Sequence, residues 1–193
     1  MTSLVIISGL SGSGKSTAMN VLEDLGYYCL DNLPLALLPK FIELCESSQG
    51  DINKVALAVD AREGLFFGRA PDEIKELRDK GHPLDLIFLD SSDTVLHKRY
   101  KETRRRHPLS VNGSIAEGIS REREMLKDLK SMSDFTIDTS DFNVHQLKEV
   151  IKSRYERADT NKLQINILSF GYKHGYPYDA DMIFDVRFLP NPF

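Results

Sequence analysis

The sequence predicts an α/β fold: a five-stranded parallel sheet covered by helices, followed by the beginning of a second α/β domain. Three observations carry that expectation. Five short apolar runs alternate with amphipathic helical segments, the order that gives a parallel sheet wrapped by helices. A turn rich in glycine, "GLSGSGKS", separates the first run from the first helical segment. Aspartates stand at the ends of three runs (Asp31, Asp60 and Asp90), where sheets of this kind collect their ligands.

The elements follow in order. "LVIIS" (4–8) is a continuous apolar run, as expected of a strand buried on both faces. From Lys15 the period becomes helical, with Ala18, Val21, Leu22 and Leu25 on one face and Gly26 as the stop. "YYCL" (27–30) reads as a second strand, and Pro34 suits the first turn of a helix running to about Cys45. "VALAVD" (55–60) is the third strand, followed by a helix over 71–80 closed by Gly81. "DLIFLD" (85–90) is the fourth. Residues 93–106 are helical and strongly charged, and residues 115–132 form a helix with Ile115, Ile119, Leu126 and Leu129 inside. "FTID" (135–138) is the fifth strand. Asn143 and Gln146 have capping-box spacing before a last helix whose inner side is Val144, Leu147, Val150 and Ile151.

After about Asp159 the pattern changes. "KLQINILSFGYK" and "DMIFDVRFL" read as two strands joined by a polar, glycine-containing loop. Two strands alone make a marginal unit. The organisation expected is therefore a first domain over 1–158 and, over 159–193, the start of a second domain that is cut short.

Composition narrows the function classes. A length of 193 residues suits one domain, or one with a fragment. The net charge of −4 argues against an overall electrostatic nucleic-acid binder and leaves room for a local basic patch. The cysteines are Cys29 and Cys45, without metal-ligand or Cys-x-x-Cys spacing, which fits buried thiols in a reducing compartment. No apolar run approaches the ~18 residues of a membrane helix, and no signal peptide opens the chain. A cytoplasmic location is the expectation, with no membrane partner.

The stretch Gly9-Leu10-Ser11-Gly12-Ser13-Gly14-Lys15-Ser16 fits G-x-x-x-x-G-K-[ST], the P-loop or Walker A pattern, and has the required strand before it and helix after it. Glycines let the backbone curl so that successive N–H groups converge on an anion. The helix N-terminus adds roughly half a positive charge. Lys15 is placed to reach the outer phosphates and stabilise charge on the transferring group. Ser16 offers a hydroxyl to Mg²⁺, and Thr17 an extra contact to an inner phosphate. The competing reading is a Gly/Ser-rich turn that merely precedes a helix.

Such a loop needs an acidic metal partner at a strand end. Asp31, Asp60 and Asp90 are the candidates. Asp60 is the strongest, with Arg62 two residues on; Asp90, trailed by Ser91, Ser92 and Asp93, reads equally as a helix cap. "HKRYKETRRRH" (97–107) holds six Lys/Arg and two His against one Glu. It reads three ways: a lid whose Arg104–Arg106 neutralise transition-state charge, a solvated helix face, or an RNA patch with Tyr100 as a stacking surface. His82, His145 and His174 are scattered without metal spacing.

Four blocks together resemble the RapZ/YvcJ family of bacterial P-loop nucleotide-binding proteins: "SGLSGSGKSTAMNVLEDLGYYCLDNLP", "VDARE", "LIFLDSSDTVLHKRYKETRRRHPLS" and "SFGYKHGYPYDADMIFDVRFLPNPF". The resemblance spans essentially the whole chain. It implies a first domain like the small P-loop kinases, with binding and weak hydrolysis of ATP and GTP. It places the ATP phosphates on Gly9 to Ser16. The family's D-x-R segment, assigned to GTP, falls on Asp60, Ala61, Arg62 and Glu63. In some enterobacteria a member is an RNase adapter that binds small RNAs and tunes amino-sugar synthesis. Family members continue for roughly another hundred residues, an ordinary domain size. RNA and RNase contacts are therefore expected through that further region only.

Three functions are carried forward. The first is a regulatory nucleotide-binding protein with slow ATPase and GTPase activity, using Lys15 and Asp60 as catalytic groups and Ser16 and Asp60 as Mg²⁺ ligands. The second is a small-molecule kinase, with Asp31 and Arg62 on the phosphoryl acceptor. The third is a non-catalytic adapter switched by nucleotide. A homo-oligomer is among the arrangements considered.

Overall fold

The run Leu4–Ile7 has no polar face, and in the computed structural model it lies at the centre of the sheet. The structure describes residues 2–31, 33–47, 52–60, 68–103, 107–110, 114–156, 167–175 and 182–188. Strand β1 (Ser3–Gly9) has β3 (Lys54–Ala58) on one side and β4 (Leu84–Asp90) on the other. Strand β2 (Tyr28–Asp31) adds beyond β3, and β5 (Phe135–Asp138) beyond β4. All pairs are parallel and the order is β2-β3-β1-β4-β5. The five strands and their parallel arrangement match the sequence reading.

Alternation along each strand divides the core in two. Leu4 and Ile6 of β1, Leu57 of β3 and Phe88 of β4 face one side. There they meet α2 (Leu38–Ser47), α3 (Ala70–Asp79) and α5 (Ile115–Met132), through residues such as Ile42, Ile74 and Leu126. Val5 and Ile7 point the other way, towards α1 (Lys15–Asp24) and α6 (Val144–Tyr155). On that face β3 carries Ala56 and Ala58, small enough for α1 to pack against the strand. Each fully buried Leu or Ile contributes roughly 2 kcal/mol, and β1 contributes Leu4, Ile6 and Ile7.

The helices start and stop where local chemistry allows. In α3, a proline in the first turn and Asp72 and Glu73 beside it suit the positive end of the helix, and Gly81 follows its close at φ 81°. The capping box before α6 is formed: Asn143 Oδ1 accepts from the Gln146 amide at 2.9 Å, and Gln146 Oε1 from the Asn143 amide at 2.9 Å. Helix α4 runs Asp93–Thr103, leaving Arg104–Arg106 outside the described residues.

Two expectations shift. Pro34 does not open α2; its ψ of 128° is extended, and a 3₁₀ turn at Leu35–Leu37 intervenes before the helix begins at Leu38. Val144 is 62% exposed instead of inward, because it is the first residue of α6, while Leu147 and Ile151, one and two turns on, reach the core.

The chain separates into two units, Met1–Glu156 and Arg157–Phe193. In the second, the described residues form no strand; they comprise irregular chain, a 3₁₀ turn at Tyr172–His174 and a turn at 187–188. This corrects the expectation of two strands as far as the described residues go. The apolar residues that suggested them are exposed: Ile167, Leu168, Met182, Phe184 and Phe188. Apolar character alone makes no strand without a neighbour to complete the ladder. Among the described residues, no helix is long and apolar enough to cross a membrane.

Candidate phosphate-binding site

The glycine-rich loop begins where β1 leaves the sheet. Gly9 passes so close to β4 that a Cβ there would lie 2.1 Å from the Leu89 carbonyl oxygen, at a φ of 144°. The Leu10 amide then donates to that carbonyl at 3.2 Å, and the Ser13 amide turns back to the Leu10 carbonyl at 3.0 Å. Gly14 takes a left-handed conformation, φ 110° and ψ 15°, and caps α1 without any side-chain hydrogen bond. The amides of Lys15, Ser16 and Thr17 thus open a helix whose first turn has no intrahelical acceptors. That is the electrostatic setting of an anion site.

Two of the candidate residues, Lys15 and Asp60, come together. The Lys15 ammonium donates to the Gly9 carbonyl at 2.7 Å and lies 3.4 Å from Asp60 Oδ2. Asp60 is 3% exposed and sits two residues beyond β3, where Val59 still donates to the Ile7 carbonyl. Ser16 is exposed on the first turn of α1. Ala61, Arg62 and Glu63 lie outside the described residues.

Beside the loop opens a cavity of about 540 Å³. Gly12, Ser13, Gly14 and Thr17 border it, and Arg99, Phe142 and Val144 supply a guanidinium and apolar surface. Arg99 is held to both walls: it donates to the Gly12 carbonyl at 3.0 Å and to the Thr139 carbonyl at 2.7 Å. Thr139, just after β5, has its hydroxyl 2.9 Å from the Ser13 carbonyl and 3.0 Å from that of Asp90. One residue thereby ties the loop to the ends of two strands.

The basic segment does not act as one face. Lys98 and Lys101 of α4 are exposed to solvent, Arg99 turns to the loop, and Tyr100 is 8% exposed against the His107 ring. Burial removes Tyr100 as a stacking surface for RNA. Arg104–Arg106, the cations of the lid reading, are outside the described residues.

Asp90 is a structural tie. It accepts from Arg123 at 2.9 Å, from Lys130 at 2.7 Å and from the Ser91 amide at 2.7 Å, fixing α5 to the end of β4. Burial opposes its ionisation, but those donors outweigh it and hold the carboxyl below its usual value. Asp31 ends β2 in an exposed position. Of the two cysteine thiols, Cys45 is buried and Cys29 half-buried; burial pushes the Cys29 thiol up to about 11.

Sequence reasoning missed a pair of residues behind the loop, one of which, Glu122, touches it from its inner side. Glu122 of α5 accepts from the Ser11 amide at 2.9 Å and from the Ser11 hydroxyl at 2.6 Å. His107 lies 3.2 Å from the same carboxylate, and both side chains are enclosed. A signal existed for Glu122, which stands three residues after Ile119 and four before Leu126, on the apolar face of the helix. His107 was hidden among the cations that precede it.

Comparison with known proteins places this geometry. The RapZ-like N-terminal domain matches residues 2–159, and the RapZ C-terminal domain matches 163–193. A nucleotide-binding protein of Alkaliphilus oremlandii is 55% identical over 98% of the chain, and one of Myxococcus xanthus is 50% identical over 98%. The chain spans 66% of the length of each. In fold it is similar to a sugar kinase from Janibacter sp. HTCC2649, with a TM-score of 0.53 at 17% identity over 83% of this chain and 98% of that one. It is similar also to a shikimate kinase from Bacteroides thetaiotaomicron, with a TM-score of 0.53 at 14% identity over 80% and 99%. A family model that accounts for residues 2–159 in one match leaves one conclusion: the chain belongs to the family defined by the RapZ-like N-terminal domain.

Proposed function

We propose that the chain binds the phosphates of ATP or GTP, with Mg²⁺, through Gly9 to Thr17, and hydrolyses them slowly in a regulatory role. The observation that carries this reading is the Lys15 ammonium, poised between the Gly9 carbonyl and Asp60 at the uncapped start of α1. The relatives, nucleotide-binding proteins at 50% identity or more, support it. The cavity beside the loop has room for a nucleoside, with Arg99 and Phe142 offering flat surfaces to a base.

Oxygen donors suit Mg²⁺, which takes few protein ligands and completes its shell with phosphate and water. Ser16 and Asp60 would hold it, and it would neutralise charge on the outer phosphates. Lys15 supplies a second positive charge to the same oxygens, and the amides of the loop complete a cradle that needs no rearrangement during reaction. The short Lys15–Asp60 pair keeps the ammonium aimed at the loop before a nucleotide arrives. The GTP role of Asp60–Glu63 and the partners of the longer protein, RNA and an RNase among them, are part of the same proposal and rest on family membership.

Titration with ATP and with GTP, each paired with phosphate release, tests it on this chain and on Lys15→Ala. Saturable binding and slow release are expected, both reduced about a hundredfold in the variant. Turnover unchanged by Lys15→Ala overturns the assignment. Phosphate transferred to an added small alcohol, in place of free phosphate, moves the chain to the kinase reading.

A further inference from the structure

A carboxylate beneath an anion site is an expense, since its charge opposes the phosphates the loop is built to hold. Glu122 is such a group. It is 0% exposed, on a helix face otherwise made of Ile119, Leu126 and Leu129. Burying it costs several kcal/mol unless donors surround it. Three do, and two of them come from one residue, the amide and hydroxyl of Ser11. The third is His107. The Leu109 amide can only donate, and it donates to Nδ1 at 3.2 Å, so the ring N–H is on Nε2 and points at Glu122.

We propose that Glu122 is a positioning residue for the phosphate loop, and that His107 orients it. The proposal rests on the reading of the loop as a triphosphate site. Gly9, Gly12 and Gly14 all have positive φ and leave the loop conformationally free. A two-point grip on the amide and hydroxyl of Ser11 fixes the backbone midway between Gly9 and Gly14. The amides that follow are then held in register for an anion before it arrives, the condition under which such donors act at full strength. Gly118 belongs to the same device. A Cβ there would lie 2.5 Å from His107 Nδ1 and 2.8 Å from Cγ, so the ring keeps its seat only while position 118 has no side chain.

Two opposing effects make the idea testable by sign. Removing Glu122 removes a repulsive charge, which tightens phosphate binding. It also frees Ser11, which weakens it. Positioning outweighs repulsion on this proposal. Mg·ATP is titrated calorimetrically into the full chain carrying Glu122→Ala, Glu122→Gln or Gly118→Ala, well below each variant's measured melting temperature. Glu122→Ala is expected to weaken binding about tenfold or more, the scale of losing charge-assisted hydrogen bonds. Glu122→Gln keeps an acceptor for the Ser11 amide and offers its NH₂ to the hydroxyl, and recovers most of that loss. Gly118→Ala, which displaces His107 alone, falls between. If Glu122→Ala does not fold, Ser11→Ala gives the same answer: it deletes only the hydroxyl, and a several-fold weakening is expected.

A merely structural role lowers the melting temperature and leaves the affinity of the folded protein untouched. Lys15-dependent binding that Glu122→Ala, or Ser11→Ala in its place, leaves unchanged or tightens overturns this proposal alone. Wild-type chain that shows no Lys15-dependent binding overturns the reading of the loop, and this proposal with it.

Discussion

The two sides of the phosphate loop obey opposite rules. The open side borders a cavity and presents the uncapped amides of α1, with the Lys15 ammonium resting on the Gly9 carbonyl and Asp60 beside them. The enclosed side presents donors as well, the Ser11 amide and hydroxyl, but these are already satisfied by Glu122. A loop of glycines has no preferred shape of its own. The comparison teaches that a loop left free on one side is gripped from the other, by Glu122 of α5 with His107 behind it.

Substitutions on each side should therefore separate affinity from stability. Lys15→Ala breaks the open side. It should lower Mg·ATP affinity or turnover by about a hundredfold, the usual cost of one preorganised donor, while changing the urea midpoint little. Gly9→Ala strikes the enclosed side. A Cβ 2.1 Å from the Leu89 carbonyl, in a conformation closed to side chains, should cost at least about 3 kcal/mol in urea unfolding. Thr139→Val sharpens the contrast, because it keeps the shape and deletes the hydroxyl near the Ser13 carbonyl. A loss of about 1 kcal/mol is expected, with a few-fold weaker nucleotide binding in the same titration.

The smallest effect is one of pH. Asp90 has a depressed carboxyl value, so the stability it contributes is present above the unfolded value of about 3.9 and fades as pH falls through the lower folded value. Its Arg123 partner adjoins Glu122 on α5. Unfolding curves of the wild type between pH 5 and pH 2 should steepen where Asp90→Asn curves do not, and parallel curves would remove Asp90 as an anchor of α5.

Much of the fold was legible because strands buried on both faces leave continuous apolar runs, as at Leu4–Ile7 and Leu86–Leu89. The loop was legible because curling a backbone around an anion requires glycine. What escaped was set by tertiary contacts that no local pattern encodes. His107 sits next in sequence to three arginines and was read only as part of their basic segment, whereas it is 2% exposed. Arg99 looks like its basic neighbours until the fold brings the Gly12 carbonyl beside it. The strands expected after Asp159 had the right composition, but a strand is a relation between two segments. Among the described residues the second segment of that relation does not occur.

The missing side chain at position 118 has a consequence for descent. A glycine inside a helix costs about 1 kcal/mol relative to alanine, so drift favours its replacement. Here the replacement collides with an imidazole eleven positions earlier, and that imidazole in turn steadies the glutamate four positions after the glycine. Residues 107, 118 and 122 should therefore behave as a single inherited character. Lineages that keep the histidine should keep the glycine, and those that lose one should be free to lose the other.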